Sequence, residues 1–90
     1  MTPLHVPVEI VARDRRVWRL SLAIDVGAIR FGKEIPFDPG TRVRLSLTLP
    51  GGAALGVEGK LASAEEIRFD AAPPQSQAIE AYLKEQVNEP

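Results

Sequence analysis

The segment from Arg42 to Leu49 constrains this chain more than any other. It reads Arg-Val-Arg-Leu-Ser-Leu-Thr-Leu, so Val43, Leu45, Leu47 and Leu49 alternate with Arg42, Arg44, Ser46 and Thr48. Side chains of an extended strand point to its two faces in turn, which gives this segment one apolar face and one polar face. A helix would scatter the same residues around its circumference. Asp38-Pro39-Gly40 precedes the run and Pro50-Gly51-Gly52 follows it, both built from turn-forming residues. The segment is a β-strand with one buried side, and a sheet must close over that side.

The rest of the chain supplies the sheet. Val6 to Ala12 alternates, with Val8 and Ile10 in phase and Pro7 placed near a strand start or an edge, because proline has no N–H for a ladder. Arg13-Asp14-Arg15-Arg16 is a polar break, after which Val17 to Ile24 resumes the pattern. The two runs are predicted to form a hairpin. In the second of them Trp18, Leu20, Leu22 and Ile24 share a phase and are expected in the core, opposite Arg19, Ser21 and Ala23. For Trp18 the competing reading is a binding anchor, since tryptophan is enriched at interface hot spots. Ala28–Phe31 reads as a short third strand with Ile29 and Phe31 inward, followed by a Pro- and Gly-containing loop over 32–40. Ala54 to Ser63 pairs back from the Pro50-Gly51-Gly52 turn, and Gly56 and Gly59 suggest a bend or bulge there. Glu66 to Asp70 is the last strand. Beyond Pro73-Pro74 the period changes: Ile79, Tyr82, Leu83 and Val87 form a single helical stripe. Six short strands and one terminal helix predict an all-β fold, a small antiparallel barrel over about 5–70 with an amphipathic helix over about 74–87, in one domain spanning 1–90.

Composition narrows the function. There is no cysteine and one histidine, His5, which excludes thiolate chemistry and leaves a zinc site to be built from carboxylates. No Ser/His/Asp arrangement or nucleophile elbow is present, and Gly51-Gly52 is followed by neither a lysine nor a helix, so it is no phosphate loop. His5 reads as a strand-edge residue and Glu65-Glu66 as a solvated turn. No catalytic residue, metal ligand or cofactor is expected, and the chain is read as a non-enzyme. Met1-Thr2-Pro3-Leu4 lacks the basic and apolar regions of a secretory leader, and no apolar run approaches the roughly 20 residues of a membrane span. The expectation is a cytoplasmic domain without membrane contact. Net charge is −1, yet the first 45 residues hold eight Lys/Arg against five Asp/Glu and the last 45 hold three against seven. This division predicts a local basic patch in the first half.

The order and spacing of these elements resemble the PilZ domain, a bacterial six-stranded barrel family whose best-known members bind cyclic di-GMP. The resemblance rests on His5-Val6-Pro7-Val8-Glu9-Ile10, Gly27-Ala28-Ile29-Arg30-Phe31, Pro39-Gly40-Thr41-Arg42-Val43-Arg44-Leu45, Leu49-Pro50-Gly51-Gly52 and Ala81-Tyr82-Leu83, and covers nearly the whole chain. In that family an Arg-x-x-x-Arg motif ahead of the first strand and an Asp-x-Ser-x-x-Gly loop before the third hold the ligand. Here only Met1-Thr2-Pro3-Leu4-His5 precedes Val6, and Ala23, Asp25 and Ala28 stand at the Asp, Ser and Gly positions. Arg15-Arg16-Val17-Trp18-Arg19 matches the first motif by letter, but in and after the first hairpin turn.

The resemblance thus implies a stand-alone, degenerate PilZ-like regulatory or adaptor domain. It would act by binding another protein in bacterial signalling, in motility, type IV pilus function or surface behaviour, without cyclic di-GMP. Arg30, Arg42 and Arg44 are its candidate partner-binding residues, read as a basic stripe on neighbouring strands. The alternative is a cyclic di-GMP receptor using Arg15, Arg19 and Asp25. A third reading, a small-barrel nucleic-acid binder, would use the same arginine stripe but lacks exposed aromatics for base stacking.

Overall fold

The computed structural model describes residues 1–52, 54–70 and 73–88, with side-chain surroundings for all of these except 73, 74 and 86–88. The strands are β1 (Thr2–Pro3), β2 (Pro7–Ala12), β3 (Arg15–Ile24), β4 (Ala28–Phe31), β5 (Arg42–Thr48), β6 (Ala54–Ser63) and β7 (Glu66–Phe69), followed by helix α1 (Pro73–Asn88). Six of the strands close an antiparallel ring in the order β3-β2-β5-β6-β7-β4, with β4 returning to β3. The two-residue β1, which the sequence pattern did not announce, adds to β3 through the pairs Thr2 with Ile24 and Pro3 with Ala23.

β5 has the alternation expected of it: Val43, Leu45 and Leu47 are buried and the residues between them are exposed. Its Leu45 lies between Ile10 of β2 and Val57 of β6, all three inside the ring. β6 is the longest partner, pairing with β5 over Thr48–Arg42 and with β7 from Gly59 onward. Ile29 and Phe31 of β4 and Ile67 of β7 are buried in the same core, joined by Ile35 from the 32–40 loop. At Gly51 and Gly52 the backbone takes φ of 105° and 100°, a region that side chains with a Cβ rarely enter, which is why this turn carries a glycine pair.

β3 departs from the sequence pattern. The first hairpin turn is only Arg13-Asp14, because Ala12 already faces Arg15 across the ladder. Arg13 takes a positive φ of 57°, as the first central residue of a tight hairpin turn requires. This register sets Val17 opposite Ile10 and Trp18 opposite Glu9. Val17 and Ser21 therefore face inward while Trp18, Leu20 and Leu22 face solvent, the reverse of the expected phase. A register shift between Ser21 and Ala23 then changes the phase again and brings Ile24 into the core. Ser21, fully buried, receives the N–H of Val6 at 2.9 Å and donates to the carbonyl of Leu4. One hydroxyl thus satisfies the Leu4 carbonyl and the Val6 N–H at the bend from β1 to β2.

The helix docks through Ile79 and Tyr82, both buried, with Ala78 and Leu83 against the same core. It sits beside the β5–β6 turn, where Ala78, Ala81 and Tyr82 line a cleft with Leu49, Pro50 and Gly51. Val87, the last residue of the expected stripe, lies outside the described side chains. The Tyr82 hydroxyl donates to the Pro3 carbonyl over a long 3.4 Å, so burial of the ring and not this bond holds the helix. Tyr82→Phe should cost under about 1 kcal/mol in a denaturant titration, and a larger loss would assign the docking to the hydroxyl.

Candidate protein-docking face

The outer surface of β3, β2, β5 and β6 divides into two ends. Across one end run Arg16, Val11, Arg44 and Glu58, each opposite the next in register. Across the next row run Trp18, Glu9, Ser46 and Gly56, and beyond them Leu20 faces Pro7 while Thr48 faces Ala54. One end is therefore charged, and the other carries large apolar side chains on β3 beside small residues on β5 and β6.

Trp18 is 57% exposed, Leu20 60% and Leu22 48%. Such a row of three large apolar side chains on one strand keeps a hydration cost that folding does not relieve, and contiguous exposed apolar surface marks interaction sites. Trp18 lines two grooves. One it shares with Pro7, Ser46, Thr48, Ala54 and Gly56. The other runs along Leu20 and Leu22 to His5, Gly32 and Lys33.

The arginines singled out from the sequence do not form one stripe. β6 and β7 separate β4 from β5 in the ring, so Arg30 is not on a neighbour of the strand that carries Arg42 and Arg44. Each is also engaged with a carboxylate: Arg30 with Glu66 at 3.7 Å, Arg42 with Asp70 at 2.8 Å, Arg44 with Glu58 at 3.5 Å. Surface pairs of this kind fix side-chain direction more than they add stability, and they leave little unbalanced positive charge for a partner.

Arg15, Arg19 and Asp25 are dispersed as well. Arg15 and Asp25 are ten positions apart on and just beyond one extended strand, about 30 Å at roughly 3.3 Å per residue. The Arg15 guanidinium lies over the Phe37 ring, 5.3 Å from its centre. Arg19 donates from Nε to the Glu34 carbonyl at 3.0 Å and from Nη1 to the Trp18 carbonyl at 2.8 Å. The Asp25 carboxylate accepts from the neighbouring Val26 N–H at 2.7 Å, holding its own turn. Among the described residues no group of three or more His, Cys, Asp or Glu side chains is gathered closely enough to hold a metal ion, and no helix is long and apolar enough to cross a membrane.

No family model matches the chain, and no curated protein matches it significantly. Its fold is similar to that of the solved structure of the Bacillus subtilis inhibitor of motility (MotI/DgrA), with a TM-score of 0.72 at 20% sequence identity. The likeness covers 99% of this chain and 50% of that one, so the chain spans about half the length of the protein it matches. It is a likeness of fold, and it supports the PilZ-like barrel that the sequence resembles.

Proposed function

We propose that this domain is a PilZ-like regulator of motility that works by binding another protein, without cyclic di-GMP. The observation that carries the protein-binding reading is the exposed row Trp18, Leu20 and Leu22, placed where a folded partner can reach all three. Motility comes from the protein of similar fold, an inhibitor of motility. The reading without cyclic di-GMP rests on the dispersal of the candidate residues: Arg15 and Asp25 sit at opposite ends of β3, too far apart to share one ligand. A dinucleotide with two phosphates would leave its charges uncompensated on leaving water.

Two measurements test the proposal together. Titration with cyclic di-GMP at tens of micromolar should give no saturable heat; saturable heat that disappears in Arg15→Ala or Arg19→Ala would establish the receptor reading instead. Expression in a motile bacterium should change the diameter of the swimming zone. The double variant Trp18→Ser, Leu20→Thr should lose that effect while melting like the parent, because both side chains already face water. An unchanged swimming phenotype from the double variant would place the docking surface elsewhere on the barrel.

A further inference from the structure

We infer that the partner docks by strand addition, laying an extended segment along the open edge of β3 between Arg15 and Leu20. This rests on the protein-binding reading above and gives it a geometry. β3 pairs with β2 from Arg15 to Leu20 on one side, but with β4 only from Ser21 onward on the other. The first part of β3 therefore has a strand on a single side, within a barrel that is otherwise closed. The Ser21 N–H bonds the Val6 carbonyl at 2.9 Å. Backbone groups alternate sides along an antiparallel pair, so Arg19, Val17 and Arg15 also turn toward β2, while Arg16, Trp18 and Leu20 turn their N–H groups to the open side. What lies on that side is the 32–37 loop, and β3 meets it through two arginine side chains, Arg15 over the Phe37 ring and Arg19 at the Glu34 carbonyl. The Arg19 guanidinium spans from the Glu34 carbonyl to the Trp18 carbonyl. A flexible arginine that caps one carbonyl can swing aside, whereas a paired strand cannot.

Open edges are normally kept short, twisted or charged, because they template pairing with another chain. This one has its arginines but also presents Trp18 and Leu20, and the groove along Leu20, Leu22 and Lys33 runs beside it. An added strand would take main-chain hydrogen bonds from the edge and set every second side chain against these residues. Charge selects the occupant. Arg16, Arg30, Arg42, Arg44 and Arg68 all have carboxylate partners. Arg19 and Lys33 have no carboxylate within ion-pair reach among the described residues, so a segment with an acidic residue at its flank fits. A second copy of this chain fits poorly: the edge from Arg15 to Leu20 holds three arginines and no carboxylate, so two such edges would meet with like charge. The occupant is thus an extended, alternating apolar segment with an acidic flank from a different protein.

The test is selection of a random twelve-residue peptide display library on the immobilised domain, followed by synthesis of the enriched peptide. Enriched sequences should carry apolar residues at every second position and at least one Asp or Glu. On titration the fluorescence of Trp18, the chain's only tryptophan, should shift to the blue. Amide hydrogen exchange should slow at Arg16, Trp18 and Leu20 and not at Val17 or Arg19. Leu20→Pro removes an N–H that β2 does not use and should weaken binding about tenfold, the equivalent of one lost hydrogen bond. Leu20→Thr should weaken it several-fold less. If Leu20→Pro fails to fold, the pattern of amide protection still decides. Peptides that shift Trp18 fluorescence without protecting those three amides, or that repeat their apolar residues with helical spacing, overturn strand addition and leave the docking face standing. A library that yields no binder, or binders indifferent to Trp18→Ser, overturns strand addition together with the proposed face.

Discussion

Gly59→Ala should cost about 3 kcal/mol or more, because it drives an atom into a neighbouring backbone. Gly59 is buried in β6, where it pairs with Val43 of β5 on one side and Phe69 of β7 on the other. A Cβ there would stand 2.2 Å from the Arg68 carbonyl oxygen, 3.0 Å from its carbon and 3.2 Å from a methyl carbon of Ile67. The obstacle is main chain, so no rotamer change relieves it. β7, the strand that links β6 to β4 in the ring, must move off. For a domain of this size the loss corresponds to a fall in Tm of roughly 12–24 °C. Gly56→Ala is the control on the same strand: nothing lies within 4 Å of its Cβ position. It should melt within a few degrees of the parent, or slightly higher, since alanine limits the unfolded chain more than glycine does. Equal melting of the two variants would mean that β7 does not approach β6 as closely as described.

The same strand shows how much could be read from the sequence. Gly56 and Gly59 together suggested a bend or bulge; the structure separates them into one open position and one close backbone approach, a distinction that depends on the neighbouring strand. The strands β4 to β7 were legible because each is punctuated by turn or loop residues and apolar on one side only. β3 was not. Alternation fixes a period but not which phase faces inward, and the more apolar phase, Trp18-Leu20-Leu22, is the outward one. The register of the hairpin contained the missing information. With Arg13-Asp14 as the turn instead of a four-residue break, Val17 falls opposite Ile10 and Trp18 opposite Glu9. The inward phase of β2 then dictates that of β3. The register shift between Ser21 and Ala23 had no local marker, and through it Ile24 appeared to share a phase with Trp18.

This inversion is why the arginines drew attention and the exposed apolar row of β3 did not. Arg30, Arg42 and Arg44 were outward by pattern, and that was correct, but ion-pair partners and strand order are properties of the closed ring. Glu58, Glu66 and Asp70 reach these arginines from β6, from β7 and from just beyond it, which no linear pattern reveals. Ile35 is a similar case, a buried loop residue with its N–H bonded to the Ala64 carbonyl at 2.7 Å. Nothing in a Pro- and Gly-containing stretch distinguishes it in advance.

Leu45→Ala should cost about 2–5 kcal/mol, a large share of what a small domain has to lose. The side chain is fully buried at the middle of β5, the strand that bridges the N-terminal hairpin and the β6–β7 pair. Removing it withdraws apolar contact from Ile10 and Val57 at once, and both belong to strands held in place by their own ladders. A ring of six paired strands cannot collapse freely onto the space left behind. The cavity therefore persists, which puts the cost in the upper part of the range. Ser46→Ala, one residue along and facing solvent, should change stability by less than about 0.5 kcal/mol. Urea titrations of the two variants against the parent test the assignment: midpoints that fall together, or a Leu45→Ala midpoint that stays at the parent's, would mean that β5 is not the inner wall of the barrel.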